Sequence, residues 1–126
     1  MMTSKKTNAF AAALLAACFT VSAHAATQED VEAARNESTY RTIAVHCSSK
    51  SFAKEFIASS KKWIRNSYAD HAELEKIASS RTENADEIAS WGPSDCTDFD
   101  QKLHILAANR AKADAELAKM MKKFVK

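Results

Sequence analysis

Two pairs of side chains in this 126-residue sequence have the spacing of metal ligands. His71 and Glu75 lie four apart, as do Asp100 and His104. On a helix that separation sets both members on one face, and two such faces together would supply four donors. The same spacing also describes ordinary surface pairs, each steadying its own helix by about 0.2–0.5 kcal/mol. Nothing in the sequence brings the two pairs together, so no metal and no cofactor are expected. A third constellation, His46 beside Cys47, has the residue types of a Cys–His nucleophile. It loses that chemistry if the thiol is oxidised, and an oxidised thiol is what the rest of the chain implies.

The remaining candidate is a surface rather than a reactive group. Lys50, Lys54, Lys61 and Arg65 recur at helical spacing, with Lys62 and Trp63 adjacent and Glu55 the one opposing charge among them. Arginine and tryptophan are favoured interface anchors, so this basic-aromatic stretch is a candidate docking face for an acidic protein partner. The competing expectation is a solvated lysine face with Trp63 turned into the core. A second lysine group, Lys119, Lys122, Lys123 and Lys126, suits the negative end of a helix dipole.

These residues stand in a chain with one glycine, Gly92, and one proline, Pro93. Phosphate-cradling loops, dinucleotide turns and nucleophile elbows all need glycines at fixed offsets. Most enzyme architectures are therefore disfavoured, and a non-enzymatic protein is expected. The same poverty in helix breakers predicts an all-α fold.

The first 25 residues have a separate character. Lys5 and Lys6 precede an uncharged run, Ala9 to Val21, which is followed by Ala23-His24-Ala25. A basic segment, an apolar segment and an A-x-A site in that order are the parts of a secretory signal peptide. The apolar run is shorter than the roughly 20 residues of a permanent membrane span, so no transmembrane segment is expected in the mature chain. Leu15-Ala16-Ala17-Cys18 also resembles a lipobox, which would tether the protein to a membrane through an acylated Cys18; the apolar residues after Cys18 argue for ordinary cleavage before Ala26. The chain is thus divided into a signal peptide, 1–25, and a single helical domain, 26–126, periplasmic or secreted.

Of the 18 basic residues two belong to the leader, so the domain balances its 16 acids. It carries no nucleic-acid footprint. Its two cysteines, Cys47 and Cys96, lack metal-binding spacing and are expected to form a disulfide in an oxidising compartment.

The expected architecture is a small up-down bundle of about four helices, two of them long. The first runs from Thr27, as N-cap, to about His46. A long second helix covers about Ser51 to Ala78, and a short third runs from Glu83 to Trp91 with Gly92 as its C′ residue. The last follows Gly92-Pro93, with Ser94 or Asp95 as N-cap. Its seam, Phe99, Leu103, Leu106, Arg110, Ala113, Leu117, Met120 and Phe124, alternates gaps of four and three, the pattern of a helix that packs on helices. Only Arg110 interrupts it. In such a bundle Cys47 and Cys96 fall at the same end.

The functional expectation is an exported protein that binds another protein, of the inhibitor or immunity type. An acid or stress chaperone of the periplasm is the alternative. In size, helicity and one disulfide of similar span the domain is similar to small acid-activated periplasmic chaperones, a likeness of layout and not of motif. Its 16 carboxylates would neutralise in acid and leave strong positive charge. A metal or small-molecule carrier, resting on the two histidine pairs, is the third.

Overall fold

The structure, a computed structural model, describes residues 26–124. Residues 1–25, for which a signal peptide and an alternative acylation of Cys18 are expected, lie outside the described residues, as does Lys126. Five helices and no strand are found among those residues: α1 (Gln28–Cys47), α2 (Lys50–Ser67), α3 (His71–Ala78), α4 (Ala85–Ala89) and α5 (Pro93–Phe124).

Local chemistry accounts for the boundaries. Thr27 opens α1 with a full capping box: its hydroxyl accepts from the Asp30 amide at 3.0 Å while the Asp30 carboxylate accepts from the Thr27 amide. Ser49 caps α2 by accepting from the Phe52 amide at 3.1 Å. The single long helix expected over 51–78 is two helices. Tyr68 is extended, with φ −134° and ψ 138°, and ends α2. Asn66-Ser67 before it are weak helix formers, and the edge-on packing of Tyr68 against Trp63 compensates the lost turn. The break is hard to see in the sequence because the apolar residues of 51–78 form a broad band rather than a clean stripe, so no interruption of a stripe marks it.

The entry to α5 also differs from expectation. Helix α4 stops at Ala89, and Gly92 is not in the left-handed conformation of a C′ residue. Gly92 instead begins α5: its carbonyl accepts from the Cys96 amide at 3.1 Å, and its amide donates to Asp95 at 3.3 Å. Pro93 takes the first helical position, where a missing N–H costs nothing. Ser94 and Asp95 therefore lie inside the helix rather than capping it.

Helix α1 is the centre of the fold and packs against each of the other four; α2 also packs on α3. The Cys47–Cys96 disulfide joins the end of α1 to the start of α5, with Cα atoms 5.0 Å apart. From there α5 returns along α1, bringing Arg110 to Glu37.

The core has three layers. Next to the disulfide, Ile43, Ala44, Ala53, Phe56, Ile88 and Leu103 form an apolar cluster, edged by the stacked pair Trp91 and Phe99. At the far end Ala34, Ile64, Leu74 and Ala78 form a second, edged by Trp63 and Tyr68. Between them lies a polar layer. Glu37 accepts from Arg110 and, at 2.7 Å, from the Ser60 hydroxyl. The Ser60 oxygen accepts in turn from Arg41 Nε at 2.8 Å. Arg41 then donates twice to Glu75, at 2.8 and 2.9 Å. Glu37 and Ser60 are 1% and 0% exposed, so these partners replace water completely. Two cations meet two carboxylates, and the layer is neutral.

Candidate binding surface

The basic face of α2 is built as the sequence implies, with one exception. Lys50, Lys54, Lys61, Lys62 and Arg65 are all exposed. Among the described residues none of them pairs with a carboxylate. Trp63 is the exception. It lies on the opposite side of the helix, half-buried beside Tyr68, with the Arg110 guanidinium 4.1 Å above its ring. That position makes it a lid on the polar layer, so it does not belong to the basic face.

A second feature borders the same face. Along one edge of α2, Ile57 and Lys61 form a wall of a groove of about 550 Å³ that runs between α1, α3 and α4. Its apolar lining is Val45, Ile57, Ala78, Ala85, Ile88 and Ala89, and its polar lining includes Arg41, His46 and Lys61. None of the residues lining it is acidic. Val45 is 65% exposed there, an unusual position for a valine beside a core. The His46 ring is held at the rim by a 3.0 Å hydrogen bond with the Trp91 carbonyl. Arg41, by contrast, is spent on Ser60, Glu75 and Ser79 and contributes charge rather than free donors. The groove escapes detection from sequence because its lining comes from four helices, and half of its apolar residues are alanines.

The two histidine pairs are held apart in role. Glu75 receives both Arg41 nitrogens and the Ser79 hydroxyl, while His71 stands exposed one turn earlier. The Arg41 hydrogen bonds hold the Glu75 carboxyl below the usual carboxylate range, against the opposing effect of its burial. Asp100 accepts from Ser48, and its carboxylate lies 3.3 Å from His104 Nε2. The His104 ring stacks on Phe52 at 3.8 Å between centroids. Among the described residues no three His, Cys, Asp or Glu side chains gather as a metal site. Burial raises the Tyr68 hydroxyl above its usual range, with Asp30 and Glu37 adding to it.

Among the described residues no helix is long and apolar enough to cross a membrane. Comparison of the chain with protein-family models, curated proteins and solved structures returns no match.

Proposed function

We propose that this chain is an exported, non-enzymatic binding protein of a bacterial envelope, of the inhibitor or immunity type. Its partner lays an apolar anchor into the groove between α1, α3 and α4, walled by α2, and acidic groups on the basic face of α2. The observation that carries the reading is the adjacency of the two: an apolar floor with exposed Val45, free of acidic lining, walled by the same Lys61 that belongs to the basic stripe. Interfaces commonly join a desolvated apolar centre to a charged rim that steers encounter. The leader supports export, and the disulfide is in keeping with an oxidising compartment.

The deciding experiment is affinity capture from envelope extracts with the disulfide-bonded protein, its Val45→Asp variant, and a Lys54→Glu/Lys61→Glu/Arg65→Glu variant. A specific partner retained by the parent and lost by both variants is the expected result. Equal retention by all three, or no specific partner, would overturn the proposal. Intact mass of the protein isolated from cells reports cleavage before Ala26, or acylation of Cys18, in the same preparation.

One observation favours a second reading, an acid-activated chaperone. The polar layer depends on charged carboxylates to hold α3 and α5 on α1. Protonation of Glu75 in acid would give up its ion pair with Arg41 and loosen α3 from α1, exposing the apolar cluster they share. Suppression of client aggregation at about pH 3 but not at pH 7 would select this reading; the same suppression at both, or at neither, would remove it.

A further inference from the structure

The seam of α5 has a partner for only half its length. Phe99, Leu103, Leu106 and Arg110 pack on the bundle, but every residue from Ala111 to Phe124 is exposed. These last fourteen described residues extend roughly 21 Å past Arg110 at the rise of an α-helix. Their apolar members keep the register: Ala113, Leu117, Met120 and Phe124 continue the gaps of four and three, with Met121 alongside. Leu117, Met120 and Met121 are between 54% and 57% exposed, and Phe124 is 81% exposed.

We propose that this free half of α5 pairs with the same segment of a second copy, antiparallel, about a two-fold axis between Leu117 and Met120. Three features select that occupant. The stripe is narrow and seam-like, suited to another helix rather than to a broad apolar medium. Its margins mix the acids Asp114 and Glu116 with Lys123, where a helix lying on anionic lipid would present basic residues beside its apolar stripe. The third is charge complementarity. Pairing Ala113 with Phe124 and Leu117 with Met120 of the second copy brings Glu116 of each helix opposite Lys123 of the other. The two-fold axis makes that attraction twice. A parallel pair in register would leave Glu116 facing Met121 and gain no such contact. The antiparallel overlap uses residues 113–124 fully and leaves the two bundles at opposite ends of the paired segment. Four layers are a short contact, so the dimer forms weakly and depends on protein concentration.

Sedimentation equilibrium of the purified protein over a wide concentration range tests this. The expected result is a reversible rise from monomer mass toward twice that value, abolished by Leu117→Asp. Glu116→Lys and Lys123→Glu should each weaken association about tenfold, and the two changes in one chain should restore it. Four outcomes would overturn the proposal: monomer at every concentration, association that survives Leu117→Asp, failure of the double change to restore it, or a monomer that binds anionic vesicles through this segment. Because residues 111–124 are exposed and belong to neither apolar cluster, circular dichroism of each variant will show the bundle unchanged.

Discussion

Glu37 and Arg110 stand 73 residues apart and differ in character as well: one is a carboxylate on the central helix, the other a guanidinium in an otherwise apolar seam. They meet in a layer from which water is excluded, with Ser60 and Arg41 completing the bonds. Removing one member of a buried pair strands the other, a change that costs about 3–5 kcal/mol. Glu37→Ala and Arg110→Ala should each lower unfolding stability by that order in urea titrations. Glu37→Leu combined with Arg110→Leu should cost less than either, because neither member is then left as a buried charge without its counterion. The outer member of the layer, Glu75, gives a pH dependence. Its folded carboxyl sits below the ordinary range, chiefly through the Arg41 hydrogen bonds. Its stabilising contribution is complete above the ordinary value and vanishes as pH falls through the lowered one. Unfolding midpoints should therefore decline as pH falls below the ordinary carboxylate value of 4.5. Glu75→Gln should flatten that decline while lowering the midpoint at pH 7.

Among the elements, the all-α class, the capping of α1 at Thr27 and the seam of α5 as far as Arg110 were legible from residue type and spacing; the expected packing of Ala113, Leu117, Met120 and Phe124 on the bundle was not met, since these residues are exposed. The division of α2 from α3 was not legible, because the apolar residues on either side of Tyr68 form a broad band with no clean stripe to interrupt. The importance of α1 was hidden for a different reason. Its inward positions Ala34, Glu37, Ser38 and Arg41 follow helical spacing, but three of the four are polar. A pattern search that scores apolar residues sees a weak helix where the structure has its centre. The signal that would have found it is Arg110, since an arginine alone in an apolar seam requires a buried acid opposite. The basic face of α2 was legible apart from Trp63, whose partner Arg110 comes from a distant helix. The groove was not, because no single element contains it. At this scale the free half of α5 yields its own expectation. Ending the chain after Ala111 should leave the unfolding free energy within about 0.5 kcal/mol of the parent, because surface residues outside packed features rarely contribute more.

The whole molecule is a helical bundle whose two ends are secured differently. At one end the Cys47–Cys96 bond closes a separation of 49 residues. A loop of that size is worth about 4 kcal/mol through restriction of the unfolded chain. Reduction, or Cys47→Ser with Cys96→Ser, should lower stability by about that amount, seen as a drop in thermal midpoint that dithiothreitol reproduces in the parent. At the other end no covalent link exists among the described residues, and the far apolar cluster relies on Ile64, Leu74 and Ala78 packing beneath α1. Hydrogen exchange should therefore be faster in α3 than in the α1–α5 pair beside the disulfide.

The sandwiching of a charged layer between two greasy ones also has a meaning for assembly. Apolar side chains alone would tolerate α5 sliding by one turn along α1, because leucine, methionine and alanine substitute for one another at modest loss. A one-turn slide would push Arg110 into hydrocarbon and leave Glu37 without its counterion. Misthreaded forms are thereby penalised far more heavily than the correct one is rewarded, and the polar stratum serves as an alignment pin for a chain otherwise poor in distinguishing marks.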